Sequence, residues 1–72
     1  MLEKRSFSLS GHRTSVALEP EFWAALEQIA AQRAQPVSAL VTNLDSSRSD
    51  SRPLASALRV FALLNSNSSS SR

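Results

Sequence analysis

The sequence predicts a mostly α-helical protein with one β-strand, in which two chains pair their strands into an intermolecular antiparallel ribbon. Residues 13–19, RTSVALE, alternate between polar and less polar side chains with the period of a half-buried strand. Three later segments repeat apolar residues at helical spacing. No other segment is a convincing partner for the strand. We therefore expect a strand, two helices and an extra C-terminal helix, in a homodimer.

Composition limits the classes of function that the chain supports. The core of a 72-residue chain leaves little stability to spare, which favours association with another chain. There is no cysteine, and one histidine cannot build a metal centre alone, so we expect neither a metal at His12 nor another cofactor. The longest apolar run is too short for a membrane span, and MLEKRSFSLS lacks the apolar core of a signal peptide. We expect a cytoplasmic protein without membrane association.

The two faces of the predicted strand differ in polarity. Even-numbered residues form the face expected to be buried, and odd-numbered residues form the wet face: Thr14, Val16 and Leu18 against Arg13, Ser15 and Ala17. Upstream, Phe7 and Leu9 also alternate, but on odd positions. Gly11 lies where this parity changes, which predicts a bulge or a break there. We assign residues 1–11 to a basic N-terminal arm that is partly extended.

The first helix is predicted in EPEFWAALEQIAAQRA. Pro20 suits the first turn of a helix, and the flanking glutamates favour the positive end of the helix dipole. Apolar residues follow at helical spacing, and Trp23 lies at the edge of this stripe, where we expect it to pack while its indole N–H finds a partner or water.

A second, shorter helix and a third helix follow. The second restarts at Pro36 after a break at Ala34-Gln35 and ends in the polar stretch DSSRSDS; Pro53 then opens the third, RPLASALRVFALLN. We assign residues 12–65 to the folded domain with its third helix, and residues 66–72, SNSSSSR, to a disordered tail.

A strand without a partner has a full row of unpaired backbone N–H and C=O groups. Antiparallel pairing with the same strand of a second chain about a two-fold axis satisfies these groups and places the dry faces of both strands on the helices. The residues expected in this dimer core are apolar and come from the strand and the first two helices: Val16, Leu18, Phe22, Leu26, Ile29, Leu40, Val41 and Leu44.

The order of elements in RTSVALEPEFWAALEQIAAQRAQPVSALV resembles the ribbon-helix-helix superfamily of dimeric DNA-binding proteins and antitoxins. The stretches KRSFSLSGHRTSVALEPEFW and ASALRVF are similar to a small bacterial branch of that superfamily, and GHRTSV.LEPEFW is the distinctive motif. The resemblance covers about residues 4–64.

The resemblance implies that the wet face of the ribbon enters the major groove of DNA, with base contacts from Arg13, Ser15 and Ala17. It also implies that backbone amides at the start of the second helix, around Val37 and Ser38, grip a phosphate. The chain departs from the family pattern in two places. Ala17 stands where a long polar residue is common, and Pro36 replaces the helix-opening Ser or Thr, so the grip relies on backbone amides.

Alternatives to DNA contact exist for the basic residues. Arg13 has the simpler alternative of pairing with Glu19 of the other chain. Lys4, Arg5 and His12 are expected in a flexible arm, where they would touch DNA phosphates and carry little base information. Arg33 is a weaker candidate for phosphate contact, because the C-terminal end of a helix already favours a cation.

These observations lead to two hypotheses of different classes. The first is a dimeric DNA-binding protein, a small transcriptional regulator. The second is a protein-interaction or dimerisation module, similar to an antitoxin, that binds a partner protein through residues 54–64. We expect no enzymatic activity, since no nucleophile, base and orienting group are available to converge in one pocket. The sequence leaves open whether the third helix packs on its own chain or across the dimer.

Overall fold

The computed structural model describes residues 1–47 and 52–66 and contains a two-stranded sheet and three helices in that part of the chain. The elements run in the order β1 (Glu3–Leu9), β2 (His12–Leu18), α1 (Pro20–Gln32), α2 (Val37–Ser47) and α3 (Leu54–Ser66). Residues 67–72 of the predicted Ser-rich tail lie outside the described residues, and Ser66 ends α3.

The expectation of a single strand is wrong. Strand β2 pairs antiparallel with β1 of the same chain, from Glu3 opposite Leu18 to Leu9 opposite His12. The basic segment predicted as a flexible arm therefore contains a strand that pairs with β2 along its whole length. In this register each odd-numbered residue of β1 faces an even-numbered residue of β2, which explains why the apolar pattern changes parity between the two segments.

The parity changes at a two-residue hairpin turn, which is the break predicted at Gly11, and there is no bulge at this position. Ser10 and Gly11 both have positive φ values, 52° and 81°, as the central residues of a type I′ turn require. Such a turn matches the twist of the flanking strands and reverses the chain within two residues. A turn-type dipeptide between two alternating runs is a hairpin signal, and the sequence contains it.

The three helices form where helical periodicity predicts them. Helix α1 begins at Pro20, and the amides of Phe22 and Trp23 donate to the carbonyl of Glu19 at 2.9 and 3.2 Å. Helix α2 begins at Val37, so Pro36 precedes the helix instead of lying in its first turn, and the Ala39 amide donates to the Pro36 carbonyl. None of the described helices is long and apolar enough to cross a bilayer.

The core lies between one face of the hairpin and the three helices. Val16 and Leu18 are buried and Thr14 is half-buried, as predicted for the dry face of β2. Of the residues predicted for a dimer core, Phe22 and Leu44 are half-buried and the others are buried within this chain. Helix α3 packs on α1, α2 and β2 of its own chain through Leu54, Ala57, Leu58 and Ala62.

Trp23 fixes β1 to the helical layer. Its side chain is 1% exposed, and its indole N–H donates to the backbone carbonyl of Glu3 at 2.7 Å. The ring of Phe7 lies 5.9 Å from it, centroid to centroid. The predicted packing role and the predicted partner for the indole N–H are both confirmed, although Trp23 belongs to the core and not to the edge of the stripe.

Candidate nucleic-acid interface

The face of the hairpin that points away from the helices is the candidate interface, and we call it the outer face. Facing pairs in an antiparallel sheet project their side chains to the same side. Three such pairs alternate with the pairs that carry the buried Val16 and Leu18, so they lie on the side away from the core. The outer face consists of Lys4 opposite Ala17, Ser6 opposite Ser15, and Ser8 opposite Arg13.

The outer face is polar and solvent-accessible. Five of its six residues are exposed and Ala17 is half-buried. The hydroxyls of Ser6 and Ser15 lie 3.2 Å apart and form a hydrogen bond across the two strands. Its charged groups are the cations of Lys4 and Arg13, whereas the strand carboxylate, at Glu3, belongs to the opposite face. The outer face can therefore offer donors to an anion without an adjacent carboxylate.

The structure brings the three predicted base-contacting residues together. Arg13, Ser15 and Ala17 lie on the outer face in alternate positions of β2. Their contact with DNA bases stays a prediction. The alternative partner considered for Arg13 is engaged elsewhere, because the carboxylate of Glu19 accepts from Nε of Arg59 in the same chain at 3.1 Å.

Lys4 and Arg5, both predicted to touch phosphate, lie on opposite faces of β1. Lys4 belongs to the outer face. Arg5 lies on the core side, where its guanidinium contacts carboxylate oxygens of Glu3 and Glu27 at 2.9 Å each and stacks over Trp23, 4.7 Å from the ring centroid. Hydrogen bonding to Glu3 and then to Glu27 raises the pKa of Arg5 above its ordinary value. Arg5 therefore does not share the outer face with Lys4.

His12 and the start of α2 are the other predicted phosphate contacts. His12 is exposed at the turn end of β2, on the same side of the strand as Val16. Ser38 is exposed and Val37 is half-buried in the first turn of α2. The Ser38 carbonyl accepts from Thr42 Oγ1 at 2.9 Å, while its amide points toward the open N-terminal end of the helix. These amides have the orientation that an anion at a helix N-terminus needs.

Two further arginines are held by aromatic side chains of the helical layer. Arg33 lies over Phe61 at 5.3 Å and donates to Asn65 at 3.4 Å, and Arg59 lies over Phe22 at 5.9 Å. The weaker prediction of a phosphate contact at Arg33 would compete with these interactions. Within the described residues no cluster of His, Cys, Asp or Glu has the arrangement of a metal site.

Sequence reasoning did not assign Ser6 and Ser8 to the candidate interface. The structure places both on the outer face beside Ser15 and Arg13. The signal was available in KRSFSLS, where polar residues alternate with Phe7 and Leu9 as in a second half-buried strand. The segment was assigned to an arm because its parity differs from that of β2, and a two-residue turn accounts for that difference.

The exposed side of α3 is a separate apolar surface. Val60, Leu63 and Leu64 are 37%, 57% and 68% exposed, respectively. Leu44 and Phe61 line a hollow between α2 and α3, and Phe22 and Ala25 line another beside Leu63. Apolar side chains thus remain accessible on both flanks of this helix.

Comparison with known proteins identifies one family. Residues 2–65 match the family model described as a ribbon-helix-helix domain, a range that includes the hairpin and almost all of the three helices. No curated protein and no solved structure gives a significant match to the chain.

Proposed function

This chain belongs to the ribbon-helix-helix domain family, and from that premise we propose that it is a non-enzymatic, homodimeric DNA-binding protein that regulates transcription. The observation that carries the proposal is the outer face of the hairpin. It presents Lys4 and Arg13 with three serine hydroxyls and has no carboxylate. A cationic face rich in hydrogen-bond donors suits a polyanion that is recognised through groove edges and phosphates.

The proposed dimer forms through the free edge of β2. The turn hydrogen bond joins Leu9 and His12, and bonded pairs alternate in an antiparallel sheet, so the backbone groups of Arg13, Ser15 and Ala17 point away from β1. Outside the ladder between β1 and β2, no backbone hydrogen bond reaches them from the described part of the chain. Pairing with β2 of a second copy satisfies these groups and yields a four-stranded sheet with a continuous outer face.

In this dimer the two central strands supply the base contacts. Arg13 can donate two hydrogen bonds to guanine, and Ser15 can bond to either kind of base edge. Ala17 offers only a methyl contact, for example to thymine. The amides at Val37 and Ser38 are the proposed phosphate-binding site, because the first turn of a helix carries unpaired N–H groups and the positive end of the helix dipole.

A salt-dependent mobility-shift assay on fragments of the source genome tests the proposal. The logarithm of the binding constant should fall by about 0.9 per neutralised phosphate for each unit of log salt concentration. A flat salt response, or no fragment retained near physiological ionic strength, would contradict DNA binding.

Arg13→Ala should weaken binding to the preferred fragment by about 1–3 kcal/mol and relax its base preference, if the side chain contacts guanine. Arg52→Ala is the matched control, since it removes the same charge from an exposed position just before α3. The control should retain the wild-type base preference. Equal effects of the two substitutions would indicate that only net charge matters.

The exposed side of α3 supports a second candidate function, binding of a partner protein as in antitoxin-like pairs. Leu63 and Leu64 are more than half exposed and adjoin hollows lined by other apolar residues. In this proposal a partner covers residues 54–64 while the buried side of α3 stays on its own chain. Leu63→Lys with Leu64→Lys should abolish partner binding and leave DNA binding and dimerisation unchanged. Loss of dimerisation in that variant would instead place α3 in the contact between copies.

A further inference from the structure

Strand β1 contributes half of the outer face. The proposed base contacts all come from β2, so they assign no role to β1. Lys4, Ser6 and Ser8 project from it to the same side as Arg13 and Ser15. All three are exposed, and the pairing of Ser6 with Ser15 at 3.2 Å shows that the two rows of side chains stand side by side. The inference below rests on the proposed function, because it assigns a task to β1 in the same DNA complex.

The proposed sheet is wider than the major groove, so β1 and β2 contact different parts of the DNA. In the order β1, β2, β2, β1, neighbouring strands are about 4.8 Å apart, so the axes of the outer strands are about 14 Å apart. The major groove of DNA is about 12 Å wide. The two central strands therefore fit within the groove, whereas each β1 strand lies over a groove wall, where the phosphates are.

We infer that β1 is the phosphate-contacting flank of the sheet, with the hydroxyls of Ser6 and Ser8 and the ammonium of Lys4 donating to phosphate oxygens. Hydroxyl and ammonium donors are the usual partners of phosphate oxygens in protein–DNA complexes. The side chains of β1 that point to the core side include the carboxylate of Glu3, which Arg5 neutralises there. The flank thus faces the phosphates with groups that can donate and with no carboxylate.

A gain of charge on this flank gives the sharpest test. Ser6→Lys adds one cation per chain to β1, opposite the hydroxyl of Ser15 and diagonal to Arg13. With two new phosphate contacts per dimer, the slope of log affinity against log salt should steepen by roughly 1.8. The control is Gln28→Lys, which adds the same charge at an exposed position of α1 in the helical layer. The control should leave the slope close to that of the wild type.

The second test removes hydroxyl donors from the same flank instead of adding a charge. The double substitution Ser6→Ala and Ser8→Ala should weaken binding by at least about tenfold, since hydrogen bonds to charged groups are the stronger ones. The loss should be equal for preferred and unrelated fragments, because phosphates carry no direct base information.

The outcomes separate this inference from the proposed function. If the wild-type protein retains no DNA, both fail. If the wild type binds and Ser6→Lys behaves like Gln28→Lys, or the double substitution leaves affinity unchanged, only the assignment of β1 fails. If Ser8→Ala alone, which leaves the hydrogen bond between Ser6 and Ser15 in place, changes which fragments are preferred, β1 lies inside the groove and the inference is likewise overturned.

Discussion

The end of helix α1 is set by Ala34, a residue with a left-handed backbone conformation at φ 56°. The Gln35 amide donates to the carbonyl of Ala30 at 3.0 Å, and the Ala34 amide donates to that of Ala31 at 3.1 Å. These two hydrogen bonds form a Schellman motif, in which the left-handed position is usually glycine. An alanine there carries a steric cost that glycine avoids.

We predict that Ala34→Gly stabilises the protein by about 1 kcal/mol, because it relieves this backbone strain. Ala31→Gly is the matched control, since the same change inside the exposed surface of α1 should destabilise by about 0.5–1 kcal/mol. Thermal denaturation followed by circular dichroism measures both. A lower melting temperature for Ala34→Gly would contradict the assigned C-terminal motif.

The carboxylate of Glu19 joins the start of α1 to α3. The Glu19 backbone N–H, and then Arg59, hold the pKa of this carboxyl below its ordinary value. A lowered pKa in the folded state contributes stability at pH values above the unfolded pKa, and this contribution disappears as the pH falls through the folded pKa. The contact is exposed, so its effect on stability is small and screened by salt.

Glu19→Gln should therefore be less stable than the wild type at neutral pH, and the difference should close as the pH falls below the ordinary range of glutamate. Denaturant titrations at a series of pH values measure the difference. Glu21→Gln removes a charge from the same helical turn without touching Arg59, and it should leave the pH dependence due to Glu19 in place. A constant difference between Glu19→Gln and the wild type would contradict the role of the carboxylate.

Among the elements, the helices were predicted from the sequence and the hairpin was missed, although its turn signal is present in the sequence. Helical spacing predicts α1, α2 and α3, because one side of each helix packs on the same core. The strand β1 was missed because its apolar residues, Phe7 and Leu9, occupy odd positions while those of β2 occupy even ones. Whether odd positions of one strand and even positions of the next point to the same face depends on the length of the turn between them. Here the turn has two residues, so odd positions of β1 share a face with even positions of β2.

Substitutions in the turn test the hairpin directly. Ser10→Asn should stabilise the protein by a few tenths of a kcal/mol, because Asn-Gly is the preferred pair for a type I′ turn. Gly11→Ala should destabilise by about 1–2 kcal/mol. No atom lies within 4 Å of a Cβ added at Gly11, so the cost comes from its φ of 81° alone. Chemical denaturation measures both changes, and equal stability of the two variants would contradict this turn.

At the scale of the whole molecule, the proposed DNA binding depends more on where the cations lie than on the net charge of +2. Arg5, Arg33 and Arg59 lie over the rings of Trp23, Phe61 and Phe22. Lys4 and Arg13 instead point outward from the sheet. The alternation in RTSVALE was sufficient to place Arg13, Ser15 and Ala17 on one face. It does not extend to Lys4 and Arg5, whose separation follows from the alternation in KRSFSLS that was assigned to an arm.

The proposed assembly follows from the free edge of β2. A protein of this size gains from burying backbone groups and apolar surface against a second copy. The hairpin satisfies one edge of β2 within the chain, and in the proposed dimer the other edge pairs with β2 of the second copy. The proposed DNA contact by two copies of Arg13 and Ser15 depends on this pairing.

Amide hydrogen exchange measured residue by residue by NMR tests this claim most directly. The amides of Thr14 and Val16 face β1 and should be protected at any concentration at which the chain is folded. The amides of Arg13, Ser15 and Ala17 face the free edge, and the account predicts that they are also protected at concentrations where the protein is dimeric. Rapid exchange at these three positions, with Thr14 and Val16 still protected, would contradict the shared sheet.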